Sequence, residues 1–326
     1  MEIATNSDVI LVAGPHKRRI QVCSFVLKNA SKYFSNMFGP NFSEGQGLRV
    51  NRLKEILMPE DDANALEIIC NILHLRNDVV PEALTPIEVL EIAVLADKFD
   101  CIVAVKHAST FWLNPRECQG ITELGHLMAA AYILDNARAF SEITLSMILY
   151  YKDRYLSLAE EDIGLDDSVL WRVIYLLEER RSRMRTELQD ILLYGTKDAG
   201  IDDDRNCSCG WSSRHSSAYM QLLQKEELWP LKTLDTTISQ VLQKLECMDD
   251  PAMPREWVPC KYRWHTDPTY RISRSQRLEN FKRSNGLCID CVRSSTTTMK
   301  HICQIKHGSH EAGSFDVSTL FATVSD

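Results

Sequence analysis

The sequence predicts the α+β fold class: a small N-terminal sheet surrounded by short helices, then a mostly α-helical region whose C-terminal part is rich in cysteine. Three observations carry this reading. Short apolar runs flank the turn "GPHKR" near the start, and apolar residues recur at helical spacing from residue 118 to 194. Beyond residue 206 the cysteines collect as C-x-C and C-x-x-C pairs.

Each element follows in order. "DVILVAG" is an apolar run bounded by Asp8 and Gly14, and "RIQVC" alternates Ile20 and Val22 to one side, so Val9 to Val12 and Arg19 to Cys23 form a hairpin. Two strands alone are marginal, and "KEILMP", with Ile56 and Met58 alternating, supplies a third. Between them, Phe25 to Ala30 is a short helix. Ser31 then caps a second one striped by Tyr33, Phe34, Met37 and Phe38, most of which the helical spacing assigns to the core. Glu60, Asp61 and Asp62 suit the start of the next helix, where Leu66, Ile69, Cys70, Ile72 and Leu73 repeat. In "TPIE", Thr85 is the N-cap, Pro86 the first helical residue and Glu88 the returning half of a capping box. Val103 to Leu113 adds one more helix before Pro115.

These segments resemble a BTB/POZ domain over residues 8–113, through "DVILV", "VLKNASKYFSNMF", "MPEDDANALEIICNILH" and "VLEIAVLADKFDC". Within that family the sequence is most similar to a fungal group in which "FGPNFSEG" and "HLRNDVVP" follow those elements. The resemblance implies a protein-interaction fold, found in transcription regulators and in substrate adaptors of cullin-type ubiquitin ligases. It also implies a partner surface on the helices around 31–38 and 63–75, for which Tyr33, Met37, Phe38, Asn41 and Phe42 are the candidate contacts. Two departures matter. Only seven residues precede Asp8, too few for the helix that dimerising members exchange, and Cys23-Ser24 stands where many members place His and a basic residue facing Asp8. Self-association of the family type is therefore not expected.

Past Pro115, Cys118 to Asn136, Arg138 to Tyr151 and Asp167 to Tyr194 read as helices, so residues 116–195 form a helical extension. Its charged run "EERRSRMRTE" reads as a solvated helix face. An acidic linker, 196–206, leads to a cysteine-containing helical region, 207–308, and a flexible tail, 309–326.

Composition limits function. The chain has 326 residues, 44% hydrophobic and 25% charged, enough for two or three domains. No run approaches the roughly 18–20 apolar residues of a membrane helix, and the start lacks a basic signal region, so an intracellular protein of cytoplasm or nucleus is expected. Eleven cysteines in such a chain argue for reduced thiols or metal ligands. Cys23, Cys70, Cys101 and Cys118 lie in apolar patterns and read as small buried thiols. For the rest, structural zinc, unliganded thiols and a redox pair compete. Zinc takes four tetrahedral ligands, and a C-x-x-C turn converges two sulfurs on one point. The candidate ligands are Cys209, Cys260, Cys288 and Cys291, with Cys207 as substitute, and His301, Cys303 and His307 in "HICQIKH" able to complete or replace one position. A redox pair would want a βαβ setting and a helix start beside Cys288, and the sequence signals neither.

No phosphate loop, GxSxG elbow, HExxH or dinucleotide fingerprint occurs, so a non-enzymatic role is expected. Two functions stand: an adaptor joining a cullin scaffold to a target, or a scaffold or transcription-associated factor touching nucleic acid. The second draws on charge. Residues 251–310 carry a net +7 within a chain of net −8, and the basic stretch 255–306 would meet the acidic partner.

Overall fold

The structure is a computed structural model that describes residues 1–45, 53–198, 209–230, 235–251, 270–294 and 303–304. The chain divides into two compact units. One comprises residues 1–144, 156–172 and the chain from 287 onward; the other comprises 145–155 and 173–286.

The first unit opens with a three-stranded sheet of order β2-β1-β3, built from β1 (Val9–Ala13), β2 (Arg18–Val22) and β3 (Lys54–Met58). β1 is central, antiparallel to β2 and parallel to β3, with Leu11 opposite both Ile20 and Ile56. All five β1 residues are buried, which explains why it reads as a continuous apolar run, whereas β3 alternates, with Ile56 and Met58 inside and Leu57 outside. Gly14 turns the hairpin in the left-handed region at φ 67°, and its N–H donates to the Met58 carbonyl at 3.0 Å. The outer edge of β2 is met by the first residues of the chain: Ile3 N–H donates to Gln21 O, and Gln21 N–H donates to Met1 O.

Helices α1 (Ser24–Ala30) and α2 (Lys32–Met37) meet at Ser31, as its cap chemistry predicts. The Ser31 hydroxyl accepts the Phe34 N–H at 3.1 Å and donates to the Phe99 carbonyl, so one side chain starts α2 and ties it to the end of α4. α3 (Ala63–Leu73) is capped by Asp62, which accepts the Ala65 N–H at 2.8 Å. α4 (Pro86–Lys98) begins with the expected pairing, Glu88 accepting from the Thr85 N–H at 2.8 Å and hydroxyl at 2.7 Å. α5 (Ile102–Trp112) closes the hairpin with α4, and Phe34 stacks on Phe99 at 5.0 Å and on Phe38 at 5.8 Å in the core.

α6 (Ile121–Ile133) packs on α4. It approaches the turn after residue 155 so closely that a Cβ at Gly125 would lie 2.9 Å from Leu158 and 3.0 Å from Ile163. α7 (Ala137–Tyr150) and α8 (Asp167–Asp198) follow, each running from the first unit into the second.

In the second unit the charged run of α8 is a solvated face only in part: Ser182, Thr186 and Glu187 are exposed and Arg183 pairs with Glu179 at 2.7 Å one turn away, but the other side of the helix is not. Arg180 and Arg181 are buried, beside Met184 and Leu188. Arg181 donates to the carbonyls of Tyr151 and Asp153, at 3.3 and 2.6 Å, pairs with Glu178 at 2.6 Å, and lies 4.3 Å over the ring of buried Tyr155. Burial of Arg181 is tolerated because both its terminal nitrogens and its ring-facing side meet partners. The unit continues through α9 (Trp211–Lys225), α10 (Ile238–Cys247) and α11 (Tyr270–Lys282); Tyr219 and Tyr270 stack at 4.9 Å. A last short helix, α12 (Ile289–Arg293), belongs to the first unit. Among the described residues, no helix is long and apolar enough to cross a membrane. The tail 309–326, and residues 199–206 of the expected linker, lie outside the described residues.

Candidate interaction groove and candidate metal centre

The alternation of β3 and the stripe of α2 create a groove of about 660 Å³ on the first unit. Tyr33 and Met37 of α2, Phe42 beyond it and Leu57 of β3 line its walls, and the Lys98–Asp61 ion pair lies at its edge. Leu57 is 72% exposed, Phe42 52% and Tyr33 40%. Asp61 is buried and held by the Lys98 ammonium, which also sits 5.5 Å from the centre of the Phe99 ring. Aromatic and aliphatic side chains beside a fixed charge pair match the composition of a protein-binding patch.

Three of the five candidate contacts therefore line the groove. Asn41 is exposed but does not line it. Phe38 requires correction as a contact: it is 2% exposed and stacked on Phe34, because its N–H donates to the Phe34 carbonyl at 3.0 Å and so carries the buried face of α2 one residue further. Leu57 was missed, although the placement of Ile56 and Met58 inside a strand sends it outward. A second, more apolar cavity of about 960 Å³ lies between the end of α3 and α5, where Leu75 and Phe111 are exposed.

The second cluster is chemical. The Sγ atoms of Cys288, Cys291 and Cys303 lie within 4.8 Å of one another, and this group could hold a metal ion. Cys288 is the N-cap of α12 and Cys291 lies three residues on, so the first turn presents both sulfurs to one side. Cys288 is buried, and Cys291 and Cys303 are partly exposed. The hydrogen bond from the Cys291 thiol pulls Cys288 down to about 5, and the same contact pushes Cys291 up; burial pushes Cys303 up. The lowering at Cys288 favours the thiolate, the form that binds metal. The helix start beside Cys288 corrects the expectation that none exists there. The βαβ frame of a redox domain is absent among the described residues, whose named strands all belong to the N-terminal sheet.

Cys303, held in reserve by the sequence, is the third member. Cys209 is described, but it belongs to the second unit and is not a member of this group. Cys207, Cys260, His301 and His307 lie outside the described residues. So do residues 255–269 and 295–302 of the basic stretch 255–306, and within its described part Arg274 donates to the Met248 carbonyl while Arg293 pairs with Asp135.

Residues 2–114 match the family model of the BTB/POZ domain, and this part of the chain is a BTB/POZ domain. No curated protein matched the chain.

Proposed function

We propose that the protein is a non-enzymatic adaptor whose BTB/POZ domain docks a protein partner, the scaffold of a cullin-type ubiquitin ligase, while the helical remainder recruits a target. The groove lined by Tyr33, Met37, Phe42 and Leu57 carries this reading, because it exposes large apolar side chains on an interaction domain. Zinc is the metal suited to the cysteine cluster, with a structural role, and the adaptor works in cytoplasm or nucleus. Calorimetry of the full chain against the N-terminal domain of a cullin scaffold tests the partner. Saturable one-to-one binding that weakens at least ~10-fold in Leu57→Asp supports it. No heat at roughly 50 μM, where a micromolar complex would saturate, removes the cullin.

A further inference from the structure

The Cys291 and Cys303 sulfurs lie 3.8 Å apart. A disulfide would bring them to about 2.05 Å. Tetrahedral zinc with arms of about 2.3 Å would set neighbouring sulfurs roughly 3.8 Å apart, the edge of that tetrahedron. The spacing therefore suits a bridging cation, and an odd number of thiols cannot all pair with one another.

The surroundings show what such an ion would join. A helix of five residues has no stability of its own, and α12 is held by its anchors. Leu287, Ile289 and Val292 are buried. Leu287 N–H donates to the buried Thr144 hydroxyl at 2.8 Å, and Arg172 donates to the Val292 carbonyl at 2.7 Å. Arg293 pairs with Asp135, donates to the Tyr132 carbonyl at 2.8 Å, and stacks on the Tyr132 ring at 4.9 Å. Residues 303–304 have a thinner hold: the Gln304 N–H donates to Asp290 at 2.7 Å, and its side-chain amide reaches Asp290 and Asp135 at 3.4 Å.

We propose that Cys288, Cys291 and Cys303 are three of the ligands of one zinc ion, and that this ion is a clasp fixing the chain at 303–304 to α12, which is itself anchored on α7 and the end of α6. The proposal rests on the zinc reading above and adds the third ligand and the consequence of its loss. Asp290 is a positioning residue, since its carboxylate holds the backbone beside Cys303.

The test uses the full chain, purified reduced and metal-free. Cobalt is added first, to count thiolates from the sulfur-to-metal charge-transfer band; zinc is then titrated in competition with a chromophoric chelator. Hydrogen exchange is followed over 287–294. Zinc is expected to slow exchange there. Cys303→Ser should lose the protection and at least ~10-fold in affinity, more than an outer-shell change would. Cys303→His should restore both, with a weaker charge-transfer band, and Cys209→Ser should leave protection of 287–294 unchanged. Wild-type-like affinity in Cys303→Ser overturns the ligand assignment. Zinc binding without protection of 287–294 overturns the clasp alone, and failure of the wild type to take up zinc overturns the zinc reading itself.

Discussion

Asp8 accepts two hydrogen bonds from Ser24, one from the backbone N–H at 2.7 Å and one from the hydroxyl at 2.6 Å. The N-cap of α1, Cys23, has no capping side chain, so a carboxylate at the mouth of β1 satisfies the helix start from outside. In the position where the family resemblance implied a basic residue facing Asp8, a serine hydroxyl now takes the charge. Asp8→Ala should destabilise the first unit by about 1–2 kcal/mol, read from the urea midpoint, with Ser24→Ala costing less because the backbone bond survives.

His74 fixes the other side of the same helix start. Its Nε2 accepts the Cys23 N–H at 3.1 Å while Nδ1 faces the Cys70 carbonyl at 2.8 Å, which requires a neutral ring protonated on Nδ1. Burial lowers its pKa from 6.5. Because the folded value lies below the unfolded one, the contribution is complete above 6.5 and is lost as pH falls through the folded value. Exchange protection of α1 and α3 should decline between pH 7 and 5, and less so in His74→Gln.

Leu57 and Phe38 separate binding from folding. Leu57→Asp should leave stability within about 0.5 kcal/mol and reduce partner binding. Phe38→Ala should cost about 3–5 kcal/mol by opening the aromatic core, so any binding loss it shows would reflect unfolding.

Gly125 has no room for a side chain. Gly125→Val should destabilise by about 1–3 kcal/mol, since Leu158 and Ile163 are both buried and would have to move together. Thermal unfolding followed by circular dichroism checks it.

Arg181→Met should cost about 1–3 kcal/mol, because it strips two carbonyls of their donor and leaves Glu178 without its guanidinium. Arg181→Lys should recover little, as a single ammonium cannot replace the fork.

Local chemistry was legible where it acts over a few residues. Ser31, Asp62 and the Thr85–Glu88 pair announced helix starts because a cap and its N–H are neighbours in sequence. Phe38 is buried as helical spacing from Phe34 implies, and it was its use as a partner contact, taken from the family resemblance, that misled. The "EERRSRMRTE" run showed its local pairs, Arg181 with Glu178 and Arg183 with Glu179, but hid the burial of Arg181, whose further partners, Tyr151, Asp153 and Tyr155, are about 30 residues away and supply carbonyls and a ring. Cys288 and Cys291 stood out as a pair, whereas the third sulfur depends on how the chain returns after α12, which spacing does not encode.

The first unit is discontinuous, and synthesis is not. Its last buried residues, Leu287, Ile289 and Val292, leave the ribosome more than a hundred residues after Arg172. At about 5–20 residues per second the surface that receives Leu287, Ile289 and Val292 stays wet for on the order of ten seconds. Over that interval the newborn N-terminal portion offers a site that holding chaperones can read, and a nonsense mutation before codon 287 would make that exposure permanent.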